Sequence, residues 1–251
     1  MSKLDGLTAL ITGSNRGIGA GVAKAFASLG ANVIINYPDS SSEAEALELK
    51  NELEKNKVKS IIIEADVSDS SAVKDMIKVS EGKFKHIDIL VNNAGIAAAA
   101  PVENIEVETW DRVIDVHLKG TFLTCKYVLP GMYKRGQGKI INTASQLAYL
   151  GAAGFAHYTA AKGAIVTFTR TLALEAAPKG INVNAVAPGA TRTAMLQDVP
   201  DDILEGIRQA IPLGRLAEVD DIIPSYVFLA SDESRHYIGQ VISPNGGDMF
   251  L

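Results

Sequence analysis

The stretch that decides the fold is Leu7-Thr8-Ala9-Leu10-Ile11-Thr12-Gly13-Ser14-Asn15-Arg16-Gly17-Ile18-Gly19. Its first half is a short apolar run, and its second is a glycine turn leading into an Ala-rich helical segment. Apolar runs this short, bounded by turn residues, read as strands buried on both faces. Glycines at the exit of such a strand let the backbone turn sharply, let a pyrophosphate approach and let the next helix pack closely. The helix N-terminus then aims free N–H groups and a positive dipole at the phosphates. The spacing is Gly-x3-Gly-x-Gly rather than Gly-x-Gly-x-x-Gly. Gly13, Asn15, Arg16, Gly17, Ile18 and Gly19 are thus candidate cofactor-binding residues.

Outward from this turn the same alternation repeats. Further apolar runs are Asn32–Asn36, Ser60–Glu64, Ile87–Val91, Lys139–Thr143, Asn182–Ala187 and Gln240–Ser243. Between them lie helix-period segments such as Gly17–Leu29, Ser42–Lys55, Ala72–Phe84, Thr109–Lys134 and Ala156–Ala177. Strand-helix alternation predicts right-handed βαβ units, hence an α/β fold with a parallel sheet and helices on both faces. No linker or low-complexity tract marks a boundary, so residues 1–251 read as a single domain. Ala97–Ala100 followed by Pro101 reads as a loop. Thr191–Leu216 interrupts the alternation and is long enough to be a lid or to carry short helices of its own.

Composition narrows the function. Of 251 residues, 47% are hydrophobic and 21% charged, the balance of a globular domain. A net charge of −5 argues against a nucleic-acid partner and against an anionic membrane surface. The single Cys125 excludes an internal disulfide and a Cys-based zinc site, and fits a reducing compartment. The start has no secretory pattern, and no run approaches 18 apolar residues. A cytoplasmic protein without metal is the expectation, and His86, His157 and His236 lack ligand spacing and read as surface or packing residues.

Which cofactor is a question of charge. An NAD site usually offers an acid at the end of the second strand for the ribose 2′-OH. Here that strand runs into Asn36-Tyr37-Pro38 with no carboxylate before Asp39, while Arg16 lies in the glycine turn and Ser40, Ser41 and Ser42 follow. A guanidinium and hydroxyls welcome a 2′-phosphate, so NADP(H) is preferred and NAD(H) remains possible. The serines also read as an N-cap with Glu45 as capping-box partner.

Tyr158-x-x-x-Lys162 places two side chains on one helix face. Ser145 stands 13 residues before Tyr158, Asn92-Asn93-Ala94-Gly95 follows one strand and Pro188-Gly189 another. All fall at the carboxyl ends of strands, where an open parallel sheet binds its ligands.

With these motifs in order, together with Asp66-Val67, Pro-Gly-x3-Thr and Gly246-Gly247, the chain resembles the short-chain dehydrogenase/reductase family over essentially its whole length. The resemblance implies a doubly wound seven-stranded Rossmann-like sheet and an oxidoreductase that moves a hydride between nicotinamide and a carbonyl or secondary alcohol. Tyr158 would be the general acid/base, its hydroxyl lowered by the Lys162 cation and the oxidised nicotinamide. Ser145 would orient the carbonyl oxygen, and Lys162 would hold the nicotinamide ribose. Thr193 would hold the carboxamide, Asp66 and Val67 the adenine, and Asn92 the ribose. Asn36, Tyr37, Ser40, Ser41, Ala94, Gly95, Pro188, Gly189 and Thr191 complete the expected cofactor contacts.

One position departs from the pattern. His117 stands where the family usually carries Asn, a residue that serves a proton relay largely through its backbone carbonyl. The ring could join that relay or merely pack. Trp110 is expected to anchor the long helix. By family position, Gln146, Leu147 and Phe155 and a lid from Ala190 to about Leu216 surround the substrate, a mostly apolar lining in which Arg192 is the candidate for an anionic group. Within the family the chain looks most like 3-oxoacyl thioester reductases and related ketone and sugar-alcohol reductases, usually homotetramers (or homodimers). Two other readings stand beside this one: a catalytically idle NADP(H)-binding regulator or scaffold, and a dehydratase or epimerase, the latter usually longer.

Overall fold

In the computed structural model, which describes residues 3–196 and 199–250, the apolar runs are strands. They are β1 (Thr8–Ile11), β2 (Asn32–Tyr37), β3 (Ser60–Glu64), β4 (Ile89–Asn92), β5 (Gly138–Thr143), β6 (Ile181–Val186) and β7 (Val241–Ile242). All pair in parallel, in the order β3-β2-β1-β4-β5-β6-β7. Each strand end lies within two residues of the run read from sequence. Chain direction across the sheet reverses between β1 and β4, and the crevice outside their carboxyl ends is the switch point where such sheets bind ligands.

The uninterrupted apolar strands follow from two cores. Successive side chains point to opposite faces, so Ala9, Ile11, Val33, Ile35, Ile89 and Val91 enter one cluster. Leu10, Ile34, Leu90 and Ile140 enter the other. The first core is closed by α1 (Gly17–Ser28), α2 (Glu43–Leu53) and, near the C-terminus, the helix Val219–Ala230; the second by α3 (Ser70–Phe84) and by helices that precede β5 and β6. Helix α3 begins two residues earlier than its period suggests, because the Asp69 carboxylate accepts from the Ser71 and Ala72 amides at 2.7 and 3.1 Å.

The segment expected as one long helix is divided. It consists of α4 (Val107–Ile114), a π-helical turn over Asp115–Lys119 and α5 (Gly120–Arg135). The π turn, a feature that tends to occur at functional sites, carries His117. Trp110 lies on α4 rather than on the longer α5, and is 38% exposed. The remaining helices are α6 (Leu147–Leu150), α7 (Ala156–Ala176), α8 (Asp201–Ala210) and α9 (Val219–Ala230). The segment from Ala190 to Leu216 thus carries helices of its own, a short 3-10 turn at Ala194–Leu196 and α8; Gln197 and Asp198 within it lie outside the described residues. Among the described residues no helix is long and apolar enough to cross a membrane, and no cluster of His, Cys, Asp and Glu could hold a metal.

Candidate active site

The glycine turn is a preformed cradle. Gly13 and Gly17 have φ of +57° and +59°, which L side chains rarely adopt. A Cβ on Gly13 would lie 2.8 Å from the Ala94 Cα, and one on Gly19 2.6 Å from both the Gly13 carbonyl oxygen and the Asn93 Nδ2. The first residues of α1 have no side-chain cap, so their N–H groups are left for an anion. Thr193 lies over Gly17, its Cγ2 3.7 Å from where a Cβ would be. This donor set fits a dinucleotide pyrophosphate.

Residues around the cradle hold it rigid, and several expected to face the cofactor do this instead. Asn36 is buried, accepts from the Gly13 amide at 3.1 Å and donates to the Ala65 carbonyl at 2.9 Å. Its side chain is therefore spent on the turn. Tyr37 packs into the first core. Asn92 likewise turns away from the crevice: it donates to the Asn142 Oδ1 at 2.9 Å and accepts from the Thr124 hydroxyl at 2.6 Å. The neighbouring Asn93 faces the turn, donating to the carbonyls of Thr12 and Gly13 at 3.0 Å. The Thr12 hydroxyl accepts from the amides of Asn93 and Ala94 at 3.0 Å. Neither Thr12 nor Asn93 was singled out individually from the sequence, although a threonine closing a strand beside a glycine turn and an Asn pair closing its neighbour were both visible. Asn15 donates to Glu45 at 2.6 Å, so Glu45 closes no capping box and Ser42 makes no cap bond.

At the ribose end the charges are mixed. Arg16 is exposed. The Asp39 carboxylate accepts from the Ser41 hydroxyl and, at 2.9 Å, from its amide; these two bonds, aided by the Arg16 charge, hold its pKa below the ordinary range. Ser41 is thereby committed to Asp39. Asp66 pairs with Arg112 at 2.8 Å and accepts from the Ser68 hydroxyl at 2.7 Å. Burial works against that carboxylate, but Ser68 and Arg112 outweigh it and its pKa falls. Val67 beside it is buried, packed where a Gly120 Cβ would stand.

Ser145, Tyr158 and Lys162 converge at the carboxyl end of β5. Ser145 follows that strand, and α7 carries the other two a turn apart. Burial pushes the Tyr158 hydroxyl up, while the Ser145 hydroxyl beside it works in the opposite sense. Lys162 is buried, donates to the Thr143 carbonyl at 2.6 Å and lies 5.6 Å from the Tyr158 ring centre. Desolvation lowers its pKa to about 7. The depression of Tyr158 expected from a Lys162 cation is therefore absent in the chain by itself, since burial discourages charge on both groups.

His117 meets Tyr158 edge-on at 5.3 Å between ring centres. Its backbone carbonyl, the expected relay atom, already accepts the Thr121 hydroxyl at 2.7 Å and the Gly120 amide. The ring reaches Ile96 instead, and Gly95 must lack a Cβ because one would lie 2.4 Å from the His117 Cε1. Burial first, then the neighbouring Lys162, holds the ring neutral with a pKa of about 3, so no titration near neutral pH is expected of it.

Of the substrate-side residues, Phe155 packs edge-on against Tyr158 at 6.4 Å and Leu147 donates its amide to the Ser145 Oγ at 3.2 Å. Gln146 is buried and donates to Asp248 at 2.6 Å, a partner that sequence spacing could not suggest across 102 residues. Gly189 is packed against Asn245, Pro188 accepts from the Gln146 amide at 3.1 Å, and the Thr191 hydroxyl bonds the Gly189 carbonyl at 2.8 Å. Arg192 pairs with Glu218 at 3.0 Å, both side chains being largely exposed.

A switch-point crevice with a glycine cradle at one side and a Ser-Tyr-Lys group at the other defines a dinucleotide-dependent oxidoreductase of the Rossmann class. A family model described as Enoyl-(Acyl carrier protein) reductase matches residues 13–248. The chain is 40% identical over 240 residues to the 3-oxoacyl-[acyl-carrier-protein] reductase FabG of Staphylococcus epidermidis, covering 96% of this chain and 98% of that protein. It is 40% identical over 248 residues to the 3-oxoacyl-[acyl-carrier-protein] reductase of Synechocystis sp., covering 98% of each. The crystal structure of a short-chain type dehydrogenase/reductase from Mycobacterium marinum superposes with a TM-score of 0.94 at 32% identity, over 99% of this chain and 98% of that one. The chain belongs to the short-chain dehydrogenase/reductase family and is an NAD(P)-dependent oxidoreductase.

Proposed function

We propose that the protein is an NADPH-dependent reductase of a ketone, with a 3-oxoacyl thioester as the leading substrate class and Tyr158 as general acid. The observation that carries this is the Tyr158 hydroxyl lying beside the Ser145 hydroxyl, with Lys162 on the same helix face. A nicotinamide, when bound, supplies the hydride. Tyr158 gives its proton to the carbonyl oxygen as that oxygen gains charge, and takes one back in the direction of alcohol oxidation. Ser145 donates a hydrogen bond to the same oxygen and orients it. Lys162, desolvated, is placed to stabilise the phenolate left behind and to hold ribose hydroxyls.

The substrate class rests on the similarity to the two 3-oxoacyl-[acyl-carrier-protein] reductases. Exposed Tyr149, Leu150, Met195, Ile203 and Leu213 in and after α6 and within the 190–216 segment add apolar surface suited to an acyl chain. That segment is assigned the role of lid over a single domain, Leu147 and Phe155 that of substrate contacts, and the protein that of a homotetramer or homodimer. The NADPH preference rests on the exposed Arg16; the charged Asp39 is the feature that favours NADH. Absorbance at the reduced nicotinamide band, with NADPH and NADH each offered 3-oxoacyl thioesters, simple ketones and keto sugars, tests the reading. Turnover with NADPH and thioesters is expected. Binding without turnover across the panel would assign the idle regulatory role instead.

A further inference from the structure

The Gly246-Gly247 pair has no part in the reaction above, yet the turn it shapes touches three regions of the site. Gly246 and Gly247 stand at φ of +69° and +92°, and a Cβ on Gly246 would lie 2.7 Å from the Ile211 Cγ2. Asn245, 8% exposed, braces the turn from within. Its Oδ1 accepts the Gly247 amide at 2.9 Å, and its Nδ2 donates to the Met249 carbonyl at 2.7 Å and the Ser243 hydroxyl at 3.0 Å. From this turn the Pro244 carbonyl takes the Gly189 amide at 3.0 Å and the Gly246 carbonyl takes the Leu213 amide at 3.1 Å. The half-buried Asp248 takes the Gln146 side chain at 2.6 Å. The Pro188-Gly189 loop, the 190–216 segment and the residue after Ser145 thus meet on one braced turn. The first two contacts are backbone to backbone. The third depends on which side chain stands at 248.

That side chain settles how the Gln146 amide lies. A carboxylate only accepts, so Nε2 faces Asp248 and Oε1 points away. Oε1 is then buried without a hydrogen-bond partner among the described residues, 3.1 Å from where a Gly189 Cβ would stand. An amide oxygen left in this state is unfavourable; the charge-assisted bond at the other end of the amide holds the side chain there. The backbone of Gln146 opens α6: its amide donates to the Pro188 carbonyl at 3.1 Å, and its carbonyl accepts the Tyr149 and Leu150 amides at 3.0 and 3.2 Å. In the same turn the Leu147 amide donates to the Ser145 Oγ at 3.2 Å. A shift of Gln146 therefore reaches Ser145 twice, through the peptide bond between them and through the Leu147 amide.

We propose that Asp248 is a positioning residue for the reaction: through the Gln146 amide it fixes the turn that presents the Ser145 hydroxyl to the substrate carbonyl. It rests on Ser145 as the residue that orients that carbonyl.

The test uses the full chain. Asp248→Leu removes the acceptor and is expected to lower kcat about tenfold, with KM for cofactor within about threefold. Asp248→Asn keeps an accepting oxygen and should stay within about threefold of the unmutated kcat. Gln146→Glu sets two carboxylates against each other and should cost at least as much as Asp248→Leu. Combining Gln146→Glu with Asp248→Asn restores a donor facing an acceptor, and kcat should recover to within about threefold of the unmutated value. An unchanged kcat in Asp248→Leu, or a double variant no better than Gln146→Glu alone, overturns the proposal. If Asp248→Leu does not fold, the exchange of the pair decides. The bond is also read without turnover, from the Gln146 side-chain NH2 signals in 15N spectra of the cofactor-free protein. These should move in Asp248→Asn, and signals that stay in place overturn the proposal. Ser145→Ala retaining activity while the Gln146 signals respond to Asp248 would instead refute the role given to Ser145.

Discussion

The two ends of the crevice handle their polar atoms in opposite ways. At the glycine turn, Asn36, Asn93 and Thr12 satisfy one another through backbone partners, and what remains free is a set of helix N–H groups. At the other end, three polar atoms are buried without a hydrogen-bond partner among the described residues: Nδ1 of His117, Nε2 of His157 and Oε1 of Gln146. Lys162 is desolvated to a pKa of about 7. A site that holds an anion can be completed in advance by fixed dipoles. A site that moves protons must exclude water from the groups that carry them, and in a low dielectric the polar atoms left over there are costly to leave unpaired.

The contrast can be broken from either side, and the largest effect belongs to the proton-moving end. Tyr158→Phe keeps the ring and removes the hydroxyl; kcat should fall by about 10²–10⁴-fold with cofactor affinity within about threefold, read from steady-state kinetics and a fluorescence titration. A residual kcat above about a tenth of the unmutated value would remove Tyr158 from the role. Arg16→Ala should raise KM for NADPH by about ten- to a hundredfold and leave KM for NADH alone. An enzyme that already prefers NADH would instead point to Asp39. Asn36→Ala strips the Gly13 amide of its acceptor without touching chemistry. A loss of about 1–3 kcal/mol in urea unfolding, with KM for cofactor raised and kcat kept, is the expected outcome.

A further effect is one of pH. The folded pKa of Lys162, about 7, lies below its ordinary 10.5, so between those values the unfolded chain holds the extra proton. Stability of the cofactor-free protein therefore rises with pH through that window. Lys162→Met removes this dependence, and its advantage over the unmutated protein should be largest at and below pH 7 and fade toward pH 10.5. A pH-independent difference between the two melting curves would mean that Lys162 is not desolvated.

The sheet and the glycine turn were legible in the chain because each is written in short-range spacing, whereas the roles expected of Ser145, Tyr158 and Lys162 came from the order of motifs shared with the family. A short continuous apolar run, a helix of period 3.6 and a turn that needs positive φ are each written within a few residues. The side-chain assignments at Asn36 and Asn92 were not legible. Both sit at strand ends that lead to the crevice, and only the packing of neighbouring strands shows their amides turned to Gly13, Ala65 and Asn142.

His117 marks the boundary most sharply. Its departure from the family pattern stands in the sequence, but its use does not. The π turn that carries it, the missing Cβ of Gly95 that admits its ring, and the Thr121 hydroxyl on its carbonyl all depend on the folded chain. Local sequence determined which elements form and which chemical groups they carry. Tertiary structure decided which polar atoms are satisfied and which are left over, because desolvation and hydrogen-bond partners are set by residues far away in the chain.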